Sequence, residues 1–205
     1  MNTSILIALF CSLFSSTPKT VSRLGGDYVE ARTASVFAGA CHYNGELVTT
    51  GNDAVMAWQF DSGVRVMAVV SCDANLSDVS ASRKSEIVVD ASAGPAQTAA
   101  ALDAILSRER ASLGEVVAIR PAKIMFHHQQ SQYQVESAGF ASLKIDALPD
   151  GECCKQPNMV WYTPLAHLTG RMVGYTENAA YLAGNITDSW QRGDENSAFY
   201  GAFAY

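Results

Sequence analysis

Two runs in the first half of the chain set the dominant period. Residues 54–60 (AVMAWQF) and 64–70 (VRVMAVV) are almost wholly apolar and are separated by Asp61-Ser62-Gly63. Short apolar runs flanking a turn read as paired strands, so a β-hairpin is predicted here. Residues 85–90 (SEIVVD) form a further short strand. Strand character resumes over 116–126 and continues through 133–136 and 140–145 as an antiparallel meander. A polar turn at 129–132 divides this region, and Ser137-Ala138-Gly139 is expected as a bulge or kink. Looser patterns at 28–33, 159–163 and 171–183 add strands, the last two at edges. The aromatic tail 196–205 is expected to dock rather than fray.

One segment switches to helical spacing. Gly94-Pro95 supplies a start, because proline fits the first helical position, where its missing N–H costs nothing. Ala99, Leu102, Ile105 and Leu106 then share a face, Arg108 and Arg110 sit near the negative dipole end, and Gly114 supplies a stop. The expected fold is α+β: a largely antiparallel sheet packed by one main helix at about 95–113, in a single domain spanning 27–205. No repeat, low-complexity tract or internal boundary interrupts it.

Composition narrows the classes. With 48% apolar and 17% charged residues in 205, the chain has the makings of a globular core. A net charge of −6, with no cluster of Lys or Arg, argues against a nucleic-acid partner, since phosphate contacts need a basic face. Met1 to Thr17 holds no charged side chain, and 5–14 (ILIALFCSLF) is an apolar run too short to span a bilayer. It reads as the core of a secretory signal over residues 1–20, or alternatively as a buried N-terminal element. The signal reading predicts export to the periplasm or beyond, with no membrane span once the signal is removed. Cys11 leaves with the signal, and Cys41, Cys72, Cys153 and Cys154 remain, in an environment that permits disulfides.

No phosphate-cradling glycine loop and no G-x-S-x-G elbow is present, so no catalytic signature marks the chain as an enzyme. His127-His128 and Cys41-His42 are neighbours, whose side chains diverge in extended chain; His127, His128 and His167 are read as exposed or capping. Cys72 closes an apolar strand and is read as a buried thiol. Cys153-Cys154 differs, because Pro149-Asp150-Gly151 and Pro157 place it in a polar turn. A bond between the two is disfavoured: neighbouring Cα atoms lie about 3.8 Å apart, below the usual disulfide range of roughly 4.4–6.8 Å.

Three readings follow. Cys41, His42, Cys153 and Cys154 together form a soft or borderline metal site for copper or zinc. Alternatively, one cysteine of the pair staples to Cys41 or Cys72 in a structural or protein-interaction module without a ligand. In the third, one activated cysteine serves a thiol-based redox or acyl-transfer enzyme with His42 as base. The first leads, because these are the concentrated thiol and imidazole groups in predicted loops.

Several short strings share a context. Asp27-Tyr28-Val29-Glu30 precedes a cysteine-bearing loop, followed by Val55-Met56-Ala57-Trp58 and Val66-Met67-Ala68-Val69. The helix leads into Leu113-Gly114-Glu115-Val116-Val117, and the chain closes on Tyr200-Gly201-Ala202-Phe203-Ala204-Tyr205. Over 27–205 the chain resembles the uncharacterised bacterial family known as domain of unknown function 1326. The resemblance implies closely spaced cysteines in the loop after the first strand, hence metal binding; here that loop offers Cys41 and His42. It implies no agreed activity.

Overall fold

The computed structural model describes residues 24–38, 51–90, 92–147 and 159–205. Its strands are β1 (Gly25–Arg32), β2 (Phe37–Ala38), β3 (Asp53–Phe60), β4 (Arg65–Cys72) and β5 (Arg83–Asp90). Two helices follow, α1 (Pro95–Arg108) and α2 (Arg110–Leu113). Then come β6 (Glu115–Ala122), β7 (Met125–Gln129), β8 (Gln132–Ser137), β9 (Ala141–Ala147), β10 (Met159–Val160), β11 (Met172–Tyr181), β12 (Trp190–Arg192) and β13 (Glu195–Ala204). One sheet runs in the order β6-β5-β4-β3-β1-β13-β11-β9-β8-β7, with β12 alongside β11; β2 and β10 make a separate ribbon. Every pairing is antiparallel except that of β5 with β6.

The expected α+β class is corrected. Of the described residues 54% are strand and 11% helical, so this is a mostly β protein built on a large curled sheet. The helix predicted at 95–113 is there, but it breaks at Glu109 and buries only Ala101 and Ile105 from α1 and Leu113 from α2. The helices cover only part of one face, and the other face is covered by the sheet itself. Val29, Val55, Met67 and Val88 on one half pack against Val135, Leu143, Ile145 and Ala179 on the other. Register shifts on β11, between Gly174 and Thr176 against β13 and between Thr176 and Asn178 against β9, bend the sheet where the halves meet.

This arrangement explains why β3 and β4 lack polar alternation. Both of their faces are covered, and a strand buried on both sides reads as a continuous apolar run. Their inner side chains join the core between the sheet halves. Their outer ones (Met56, Trp58, Val66, Ala68) form a second core under α1, α2 and the segment 165–168.

Three finer expectations also change. The strand expected at an edge over 171–183 lies inside the sheet, because β11 pairs with β13 on one side and β9 on the other. Ser137-Ala138-Gly139 is a reverse turn, not a bulge: Phe140 N–H donates to Ser137 O at 3.0 Å, and Gly139 supplies a φ of 69° between β8 and β9. The tail 196–205 does more than dock. As β13 it pairs with β1 on one side and β11 on the other, in the middle of the sheet.

Candidate functional site

Cys41, His42, Cys153 and Cys154 all lie outside the described residues, as do residues 1–23. What the structure does place is the chain on which they hang. In the β2–β10 ribbon Ala38 stands opposite Met159 and Phe37 opposite Val160. Trp161 N–H extends this pairing by donating to Val36 O at 3.0 Å. The ribbon is seated on the sheet by an apolar cluster of Val36, Phe37 and Phe199, with Val160, Tyr162 and Val173 against it. The segment carrying Cys41 and His42 therefore departs from Ala38, beside the point at which the segment carrying Cys153 and Cys154 returns to Met159.

Beneath the ribbon, β1 carries a buried ion pair. On the outer face of the sheet Arg32 Nε donates to Glu30 Oε1 at 2.7 Å, with both side chains almost entirely out of water. The Arg32 guanidinium also donates to Thr163 O and lies over the rings of Tyr162 and Phe199, at 5.8 and 5.4 Å. Glu30 Oε2 accepts from Tyr28 O–H and from Leu165 N–H, the latter at 2.8 Å. Burial, and then the Glu30 carboxylate, hold the Tyr28 phenol well above its ordinary range, so it remains a neutral donor. Each charged group here has partners on several sides, as a buried ion pair requires.

A second buried carboxylate ties down the same segment, a strap over residues 161–168 between β10 and β11. Glu109 Oε1 accepts from His167 N–H at 3.0 Å and from Tyr205 O–H at 2.8 Å, and Glu109 Oε2 lies 3.0 Å from His167 Nδ1. The Tyr205 oxygen accepts in turn from Trp58 Nε1–H at 2.9 Å. Ser112 O–H donates to Leu165 O. Residues 163–167 are thus held through backbone groups by side chains of β1, of α2 and of the α1–α2 junction.

Sequence reasoning did not single out Glu30, Arg32 or Glu109. The signal was available in part: Tyr28, Glu30 and Arg32 stand at alternate positions of β1, with apolar Val29 and Ala31 between them. A charge is read as solvated unless a partner can be named, and the partners here lie up to 135 residues away.

The histidines follow their expected assignments. His127 and His128 point to opposite faces of β7. His128 reaches the rim of the inner core, where its ring stacks on Tyr133 at 3.9 Å and Nδ1 lies 3.0 Å from Asp27 Oδ2. His167 is exposed through 80% of its side chain. Cys72 is a free, buried thiol in the outer core. Among the described residues no three His, Cys, Asp or Glu side chains form a metal-holding group, and no helix is long and apolar enough to cross a membrane.

A groove of about 300 Å³ opens between the strap and the loop that precedes β5. Arg32 and Arg83 lie in its walls, with Ser112, Trp161, Tyr162 and Pro164. Compared with known proteins, the chain matches no family model, no curated protein and no solved structure.

Proposed function

We propose that this protein binds a soft or borderline metal ion, copper or zinc, through Cys41, His42, Cys153 and Cys154. The observation that carries the reading is the pairing of Ala38 with Met159. Paired strand residues stand about 5 Å apart at Cα, and a chain spans at most about 3.5 Å per residue. Cys41 follows Ala38 by three positions and Cys154 precedes Met159 by five, so both thiol-bearing segments are within reach of one ion. Thiolate and imidazole suit Cu(I) and Zn(II), and the chain's negative charge favours a cation. The reading makes this an exported protein from which residues 1–20 are removed.

The same proximity favours a second reading, a disulfide from Cys41 to Cys153 or Cys154 with no ligand. Titration of purified, reduced protein with zinc or Cu(I) separates the two. One ion is expected to bind per chain, with affinity falling by at least about a hundredfold in the Cys153→Ser/Cys154→Ser variant, as loss of two ligands demands. Equal affinity in wild type and variant rejects the site. Intact mass after alkylation without reductant reports the staple as a loss of two hydrogens.

A further inference from the structure

The groove beside the ribbon has a character at odds with the rest of the chain. The protein carries six more negative than positive charges, yet among the described residues the groove is lined by two arginines and no carboxylate. Glu30 lies behind Arg32 and neutralises it. Arg83 is in a different position. Its Nη2 donates to Leu76 O at 2.7 Å and Asp78 O at 3.2 Å, and its Nη1 to Ala111 O at 3.3 Å. Three backbone carbonyls fix the plane of the guanidinium without cancelling its charge, and three of the five N–H groups are used. Asp78 turns its carboxylate to the Ser80 N–H and hydroxyl, at 2.9 and 2.7 Å, and the Arg83 charge is the smallest of the influences on it.

The opposite wall is aromatic and stiff. Trp161 leaves 44% of its surface exposed at the mouth, with Tyr162 and Pro164 beyond it. This wall is braced from behind by four contacts already described: Trp161 N–H on Val36 O, Arg32 on Thr163 O, Glu30 on Leu165 N–H, and Ser112 on Leu165 O. Both bidentate edges of a guanidinium need an Nη2 N–H, and both of these are engaged, so Arg83 offers a ligand single N–H contacts from a fixed cation. With an exposed indole lining the same cleft, this suits a carboxylate on a flat apolar body. Since the guanidinium is held by backbone carbonyls before any ligand arrives, little ordering cost attaches to binding.

We propose that this groove binds a small organic anion, a carboxylate borne on a planar ring, with Arg83 holding the carboxylate and Trp161 stacking on the ring. The site is independent of the metal reading, as it uses none of the four metal residues.

The test is calorimetric titration of the full chain with three probes: indole-3-acetate, the uncharged indole-3-ethanol and acetate. Indole-3-acetate is expected to bind saturably at one per chain, at least about tenfold more tightly than either of the others, a gap of one charge-assisted contact. Trp161→Ala and Arg83→Gln are each expected to weaken it by about tenfold or more. Arg83 also braces the loop at 76–78, so a cooperative melting transition qualifies that variant; if it does not fold, Trp161→Ala and the indole-3-ethanol comparison decide. No saturable binding, equal binding of indole-3-ethanol, or wild-type affinity in Trp161→Ala overturns the proposal.

Discussion

Glu86 of β5 and Tyr181 of β11 stand ninety-five residues apart in the chain and meet across the inner core, the phenol donating to Oε2 at 2.7 Å. Asn185 Nδ2–H donates to Oε1 of the same carboxylate at 2.8 Å, and Arg120 of β6 approaches it at 3.3 Å. The two halves of the curled sheet are thus joined through one buried carboxylate as well as through apolar contact. Tyr181→Phe removes one donor and leaves Glu86 buried and short of a partner. A loss of about 1–3 kcal/mol is expected, read as a lower urea midpoint with an unchanged denaturant slope.

Arg32→Met strands Glu30 without its cation. Breaking a fully buried pair from one side costs about 3–5 kcal/mol. The double change Glu30→Gln/Arg32→Met keeps an acceptor for Leu165 N–H and removes the uncompensated charge, so it should recover part of that loss. If the double variant is less stable than Arg32→Met alone in the same urea series, the ion-pair account is wrong.

Stability should fall at acid pH through Asp90. Burial pushes its carboxyl up, but the Ser92 hydroxyl and N–H and the Arg65 guanidinium outweigh this and hold it below the usual range. A group depressed in the folded state stabilises above its unfolded value, and that contribution disappears as pH falls through its folded value. Asp90→Asn is therefore expected to flatten the acid limb of the stability profile, as followed by thermal melts from neutral pH downward.

Asp53 should act with the opposite sign. Burial raises its carboxyl, Ser71 offsetting only part of the shift, and Oδ1 has no hydrogen-bond partner. A raised folded value means that the contribution is present below the unfolded value and lost as pH rises through the folded one. Asp53→Asn should therefore melt at a higher temperature than wild type at neutral pH and lose that advantage in acid.

Gly114 turns the chain from α2 into β6 with a φ of 64°, and a Cβ placed there would lie 2.3 Å from Arg83 O. Gly114→Ala combines left-handed strain with a backbone clash. It should destabilise by about 1–3 kcal/mol, measured by urea unfolding. It should also weaken any ligand that depends on Arg83.

How far the fold could be read depends on where each element's partners lie. The β3–β4 hairpin was legible because its pattern is local: Phe60 and Val64 close the turn, and Gly63 supplies its positive φ. The start of α1 was legible from Gly94-Pro95 for the same reason. The curl was not, because nothing in β1 or β13 announces that each meets a strand far along the chain. Continuous burial of β3 and β4 on both faces was the available hint, and it fits a sheet folded on itself better than a sheet under one helix. The break at Glu109 was hidden because glutamate is a good helix former, and only its tertiary partners His167 and Tyr205 show why it points inward. The proposed ligands Cys41, His42, Cys153 and Cys154 lie outside the described residues, and what the structure adds is the pairing of Ala38 with Met159, between which their two segments begin and end.

The place of β13 has a consequence for synthesis. As the chain leaves the ribosome, β3, β4 and β5 can each add to the neighbour made just before, but one edge of β1 has no partner until residues 195–204 have been made. Until then the growing polypeptide holds two half-sheets with exposed rims, the condition in which nascent chains pair with one another. A holding chaperone would have its greatest effect in that interval, and a ribosome stalled short of residue 195 would leave a product that cannot close.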